Sequence, residues 1–211
     1  MPPSWYHHGM KKKRRTIQIL ARKGGAGKTT LSIHLAAAAA AQGLAVAIID
    51  ADEQGSALAW ADRRDPAAPP ILVLAAGHDL AATCARIDAD LILIDSPPTA
   101  RASGGTWRPD RIIVPIQPSA LDLAALGATL ALIAGQELSA LAVLTRVPPR
   151  GREGADARAF VRRAGLRVAR AEIGERRDYA RALATGSAAT EFAPRGQAAA
   201  EITQLLKEVL R

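Results

Sequence analysis

The sequence predicts an α/β domain with a doubly wound, mostly parallel sheet flanked by helices. Three observations predict it. Short apolar, β-branched runs alternate along the chain with helix-length segments, as successive βαβ units require. The runs are hydrophobic almost continuously, which suits strands covered on both faces. The first run passes through a glycine-rich turn directly into a long apolar segment.

The elements follow in order. Strands are expected at residues 16–21, 45–50, 71–74, 91–95, 111–116 and 141–145, with a weaker one at 166–169. Between them, helices are expected at 28–42, 56–64, 79–87, 121–133 and 155–164. Two more, 174–183 and 197–210, close the chain. The proline-rich patch 66–70 and the glycine-rich 103–105 read as loops. No repeat and no interdomain linker is visible, so residues 16–211 read as one domain. Residues 1–15 read as a disordered basic extension. Its Lys11–Arg15 run could touch a polyanion or be a frayed tail before the first strand.

Composition narrows the function. The chain has 211 residues, 49% hydrophobic and 23% charged, so it is no disordered protein. At this length folding buries about 70% of the unfolded surface, and no covalent staple is needed. The single cysteine, Cys84, excludes a disulfide scaffold and makes no zinc site by itself. An aromatic content of 3% argues against a base-stacking single-strand binder. The net charge of +8 is compatible with a polyanionic partner. The first nine residues lack the apolar core of a signal peptide. The most apolar stretch, 35–49, is interrupted by Gln42 and Gly43 and filled mostly with alanine. A membrane span needs about 20 strongly apolar residues. The expected location is the cytoplasm.

The most informative segment is Lys23-Gly24-Gly25-Ala26-Gly27-Lys28-Thr29-Thr30, after a strand and at the start of a helix. Glycines let backbone N–H groups close around phosphate oxygens, and the helix N-terminus adds partial positive charge. Lys28 would reach the β- and γ-phosphates, and the Thr29 hydroxyl would ligate Mg²⁺. Two acidic strand ends share this edge. Residues 45–49 lead into Asp50-Ala51-Asp52-Glu53-Gln54-Gly55, and 91–94 lead into Asp95-Ser96-Pro97-Pro98. Open α/β sheets bind ligands outside the carboxyl ends of their strands. Asp95 fits the Walker B role beside Mg²⁺.

The strict phosphate-loop pattern lacks its first glycine here, because Arg22 stands in that place. The loop resembles the deviant Walker A loop of the ParA/MinD ATPases. The resemblance implies that Lys23 crosses a dimer interface to the nucleotide of the other subunit. It implies that Asp52 positions or activates the attacking water, and that Asp50 supports Mg²⁺ and its shell. Glu53 stands where the family usually has proline. Residues 113–122 look like the segment after Walker B in small ParA proteins. Residues 144–148 occupy the family's adenine contact, with Thr145 in place of the usual asparagine. Residues 173–177 and Gly186 resemble the C-terminal segment of small partition ATPases. In all, the resemblance covers residues 16–192. With no N-terminal helix-turn-helix domain, the chain looks like the short plasmid-type subgroup.

Residues 146–181 hold eleven arginines against five acids. No recognition helix appears, so contact with phosphates alone would give sequence-independent, salt-sensitive DNA binding. Arg146, Arg150, Arg152, Arg176, Arg177 and Arg181 are the candidate contacts, and a solvated face is the competing reading. Cys84 reads as a small core residue, and His34 as packing or surface. Trp60 is expected to pack. Trp107 sits beside the glycine-rich loop. The stripe Ile202, Leu205, Leu206 and Val209 reads as core and not as a membrane anchor.

The resulting expectation is a small ParA-type ATPase. ATP and Mg²⁺ promote a nucleotide-sandwich homodimer that binds nonspecific DNA, and a ParB-like partner stimulates the hydrolysis that releases it. The alternative is a MinD-like ATPase that positions a membrane or protein cargo without DNA. A metabolic or metal-delivery enzyme of the same fold is disfavoured by the single cysteine. A noncatalytic binding module also stays open.

Overall fold

The computed structural model describes residues 14–98, 108–133 and 139–211. The first three lysines of the basic run (residues 11–13), the 103–105 loop and Trp107 lie outside the described residues. Seven parallel strands form one sheet: β1 (Arg15–Ile19), β2 (Val46–Asp50), β3 (Leu72–Ala75), β4 (Leu91–Asp95), β5 (Arg111–Ile116), β6 (Ala140–Leu144) and β7 (Arg167–Val168). Their order across the sheet is β3-β2-β4-β1-β5-β6-β7.

Strand hydrophobicity is continuous because each central strand feeds two cores. Along β4, Leu91 and Leu93 enter one cluster while Ile92 and Ile94 enter another on the opposite face. The same alternation divides Ile113 from Ile112 and Val114 along β5. The larger core lies under α1 (Lys28–Ala40), α2 (Ser56–Ala61), α7 (Arg177–Ala184), α8 (Ala189–Phe192) and α9 (Gln197–Val209). The other face is covered by α3 (Leu80–Ala85), α5 (Leu126–Ile133) and α6 (Glu153–Arg163). A short α4 (Ala120–Ala124) precedes α5.

α1 is buried almost all round, from Leu31 to Ala40, because it lies between the sheet and α9. Its run of alanines allows that close approach, and alanine is also the best helix former. Ile202, Leu205, Leu206 and Val209 of α9 are core residues, as their spacing predicts. Trp60 is buried, and its indole N–H donates to the Ser187 carbonyl at 3.0 Å. Cys84 is buried in α3, whose first turn is capped by the Asp79 carboxylate. No helix among the described residues is long and apolar enough to cross a membrane.

Three expectations are corrected, and one short helix was not foreseen. β1 begins at Arg15, and the Arg14 guanidinium donates to the Cys84 carbonyl at 3.0 Å, so the end of the basic run is built into the fold. The helix expected at 121–133 is interrupted at Ala125, next to Gly127 with its weak helical propensity. The helix expected from Gly174 starts at Arg177. Gly174 instead bridges Val147 in parallel, while the amides of Ile173 and Glu175 bond Leu144 and Val147. α8 is too short to leave a periodic signal in the sequence.

Candidate nucleotide-binding site

Strand register assembles the site. β4 lies between β1 and β2, with Asp95 level with Ile19 on one side and Asp50 on the other. The turn that follows β1 therefore opens beside both acidic strand ends. Gly25 and Gly27 have φ of 72° and 101°, the left-handed region that glycine occupies without steric cost. The loop carbonyls are held from outside. Gln117 Nε2 donates to the Gly25 carbonyl at 2.7 Å, and the Thr145 hydroxyl donates to that of Ala26 at 3.1 Å. In a trans peptide the N–H of the next residue points the opposite way, so the amides of Ala26 and Gly27 point away from these two contacts. Gly27 is followed directly by α1, whose first amides have no partner within the helix.

The charges beneath the loop are unusual. Lys28 is buried and its ammonium lies 3.4 Å from the Lys23 carbonyl. Burial lowers its pKa, against the opposing pull of Asp95 and Asp52. Asp95 is 1% exposed, and among the described residues neither carboxylate oxygen makes a well-formed hydrogen bond, although the Thr29 hydroxyl interacts with it. Its pKa is pushed up to about 6, chiefly by burial; the nearby Thr29 hydroxyl opposes this and Asp50 adds to it. A buried carboxylate without well-formed hydrogen bonds is costly unless a cation or donor arrives. These groups fit a phosphate chain with a divalent cation. Thr29 and Asp95 offer hard oxygens, and Lys28 and the loop amides offer donors.

Asp50 is engaged by the backbone that follows it. Its Oδ2 accepts the amides of Ala57 and Leu58 at 2.9 and 3.1 Å, and its Oδ1 accepts that of Asp52 at 3.2 Å. Gly55, at the N-cap of α2, has no side chain to do this. Asp50 therefore caps α2 from the neighbouring strand and fixes the turn that carries Asp52. Asp52 is half-buried, and its carboxylate accepts the Gln54 amide at 3.1 Å.

Lys23 is tied down within its own subunit. Its ammonium pairs with buried Asp122 at 2.5 Å, and the Ser119 hydroxyl donates to the same carboxylate oxygen. Thr129 Oγ1 accepts the Arg22 amide at 3.4 Å. Sequence reasoning gave Gln117, Asp122 and Thr129 no role. The available signal was Ser-x-x-Asp after β5, a helix start at the sheet edge that carries the loop.

The expected DNA contacts do not form one uniform group. Arg176 pairs with Glu201 at 2.8 Å. Arg150, Arg152, Arg177 and Arg181 are exposed, with no ion pair among the described residues. Arg146 is exposed too. It is the only described non-glycine residue with positive φ, at 49°.

Residues 17–189 match the family described as the CobQ/CobB/MinD/ParA nucleotide binding domain. The chain belongs to this family. It is 30% identical over 208 residues to the maintenance of carboxysome distribution protein A of Halothiobacillus neapolitanus, covering 92% of this chain and 96% of that protein. Its fold is that of Cyanothece apo McdA (TM-score 0.72, 19% identity, 94% of this chain and all of that one). It is also that of the septum site-determining protein MinD of Pyrococcus horikoshii complexed with Mg-ADP (TM-score 0.67, 20% identity, 93% and 96%). The expected ParA/MinD membership and the parallel, helix-flanked sheet are both borne out.

Proposed function

We propose that this chain is an ATP-hydrolysing positioning ATPase that distributes a protein cargo. This is closer to the alternative sequence reading than to plasmid partition. The carrying observation is the buried Asp95, without a well-formed hydrogen bond, beneath a phosphate loop with Lys28 and Thr29 beside it. The cargo part rests on similarity, over nearly the whole chain, to a protein named for carboxysome distribution.

In this reading, residues Lys23 to Thr30 cradle the triphosphate. Mg²⁺, when bound, neutralises phosphate charge beside Thr29 and Asp95. Lys28 donates to the phosphates, and Asp52 orients the attacking water from the turn that Asp50 holds. Lys23 leaves Asp122 to reach the nucleotide of a second copy, which couples nucleotide state to dimerisation. A partner protein linked to the cargo accelerates hydrolysis and returns the chain to its monomer.

A second element concerns the surface along which the cargo moves. Exposed Arg150, Arg152, Arg177 and Arg181 favour nonspecific duplex DNA, and hence association with the nucleoid.

The test is Mg²⁺-dependent phosphate release from ATP by the wild type and Lys28→Ala, together with random-sequence DNA binding in ATP, in ADP and without nucleotide. Slow hydrolysis that Lys28→Ala abolishes, with salt-sensitive DNA binding only in ATP, is expected. Absence of Mg²⁺-dependent phosphate release would sink the enzyme reading. Absence of DNA binding in every state would sink the DNA surface and leave the ATPase.

A further inference from the structure

On the reading that Asp52 orients the attacking water, we propose that Arg64 and Glu191 are positioning residues for hydrolysis. They fasten the rear of α2, the helix whose front carries the Asp52 turn.

α2 is short and buries only Ala57 and Trp60, so apolar packing grips it weakly. Polar ties hold it at both ends. At the front, Asp50 accepts the amides of Ala57, Leu58 and Asp52. At the rear, the ties converge on one corner, residues 186–191, where the chain turns from α7 into α8. The Trp60 indole N–H donates to the Ser187 carbonyl at 3.0 Å. The Arg64 guanidinium forks onto Glu191, with Nη1 donating to Oε2 at 3.0 Å and Nη2 to Oε1 at 2.6 Å. The same guanidinium lies 4.9 Å from the centre of the Trp60 ring and donates to the Pro69 carbonyl at 2.8 Å. Gly186, with a φ of 69°, approaches the Arg63 carbonyl so closely that a Cβ would overlap it. The Arg64 and Glu191 side chains are only 9% and 18% exposed, so this is no loose surface pair.

The corner is also tied to α1, which carries Lys28 and Thr29 at its start. The Ala189 amide donates to His34 Nδ1 of α1 at 3.0 Å. Glu191 accepts the Ala188 amide at 2.9 Å, so the carboxylate that receives Arg64 also shapes the turn that meets His34. One corner therefore sets the spacing between the two arms that face the nucleotide. In-line attack tolerates little error, and a misplacement of about 1 Å can cost about a hundredfold in rate. The phosphates lie on the loop and α1. Loosening α2 therefore affects the chemical step more than binding.

The test compares Mg²⁺-dependent phosphate release with equilibrium binding of a fluorescent ATP analogue in the wild type, Glu191→Gln and Arg64→Lys. The first variant removes the charge and the second removes the fork. Each should lower kcat about tenfold while nucleotide affinity changes less than twofold. The double variant should be no slower than the slower single one, because both break one contact. A pair that only stabilises the fold would lower the urea midpoint and leave kcat of the folded protein unchanged; that result overturns the proposal. An equal fall in affinity and kcat also overturns it. Trp60→Phe keeps an aromatic ring and removes the bond to Ser187, so kcat should fall about threefold. This variant decides the matter if neither pair variant folds. Wild-type protein that releases no phosphate would overturn the proposed function as well, whereas normal hydrolysis by all the variants would overturn only the positioning role.

Discussion

The phosphate-loop edge and the arginine-rich last third are both densely charged, and among the described residues only the first buries a carboxylate that the fold leaves without a well-formed hydrogen bond. At the loop edge, that carboxylate is Asp95, and Lys28 is buried with its pKa lowered by desolvation. In the last third, partly buried charge is matched. Arg158 pairs with Glu172 at 2.7 Å and Arg176 with Glu201 at 2.8 Å, and Glu208 accepts the amides of Arg170 and Ala171. Unmatched burial costs stability and persists where a ligand completes the set, whereas matched burial joins elements of the fold. Charge alone therefore locates neither site. Its pairing separates the arginines that fasten helices from those that face solvent.

The largest expected effect comes from removing the unmatched charge. Asp95→Asn should lower Mg²⁺-dependent hydrolysis about a hundredfold or more, since a neutral amide is a poor ligand for a hard cation. The unliganded protein should gain about 3 kcal/mol at pH 7, because the folded state no longer holds a carboxylate whose pKa is raised to about 6. Urea denaturation without nucleotide measures this. A loss of stability would mean that Asp95 is matched after all, and the contrast between the two regions would fail.

How much of this was legible in the sequence follows the range of the interactions. The strands were legible because residues such as Ile48 and Ile92 are buried on both faces and leave continuous apolar runs. The loop was legible because Gly25 and Gly27 need positive φ at fixed spacing before a helix. Asp95 was legible from its place at a strand end. Asp122 was not, because its partner Lys23 lies 99 residues away and the Ser-x-x-Asp spacing marks a helix start without marking that partner. The capping of α2 by Asp50 was hidden in the same way, since it crosses from a strand to the next helix. Arg176 and Arg177 are adjacent and identical in type, and only the fold shows that one meets Glu201.

A smaller effect concerns a buried titratable group away from the nucleotide. His34 of α1 accepts the Ala189 amide of α8 at 3.0 Å and meets the Tyr179 ring edge-on, 5.0 Å between centroids. Burial lowers its pKa to about 4, against the pull of Glu191 and the Tyr179 backbone. The unfolded chain takes up a proton near pH 6.5 and the folded one only near 4, so stability is full above 6.5 and falls as the pH drops through that window. At pH 5 the loss should be about 2 kcal/mol. Urea midpoints at pH 7 and pH 5 should converge in His34→Gln. If the variant keeps the full difference, carboxylates and not His34 account for it.

The smallest effects separate the adjacent arginines, and with them the matched and unmatched charges of the last third. Arg176 joins the start of α7 to Glu201 of α9, and Glu201 also accepts the Gly174 amide at 3.0 Å and the Tyr179 hydroxyl at 2.8 Å. Arg176→Ala should cost about 0.5–1 kcal/mol, the range of a partly exposed ion pair, since Glu201 keeps two partners. Its effect on DNA retention should be small. Arg177 is exposed and makes no ion pair among the described residues, so Arg177→Ala should change stability by less than about 0.5 kcal/mol. It should instead reduce the slope of log affinity against log salt by about 1, as loss of one phosphate contact does. Both variants require only a denaturation curve and a DNA titration at several salt concentrations. The informative failure is an Arg176→Ala protein of unchanged stability that loses DNA as Arg177→Ala does. The Arg176–Glu201 pair would then open when DNA binds, and pairing within the fold would no longer distinguish structural arginines from working ones.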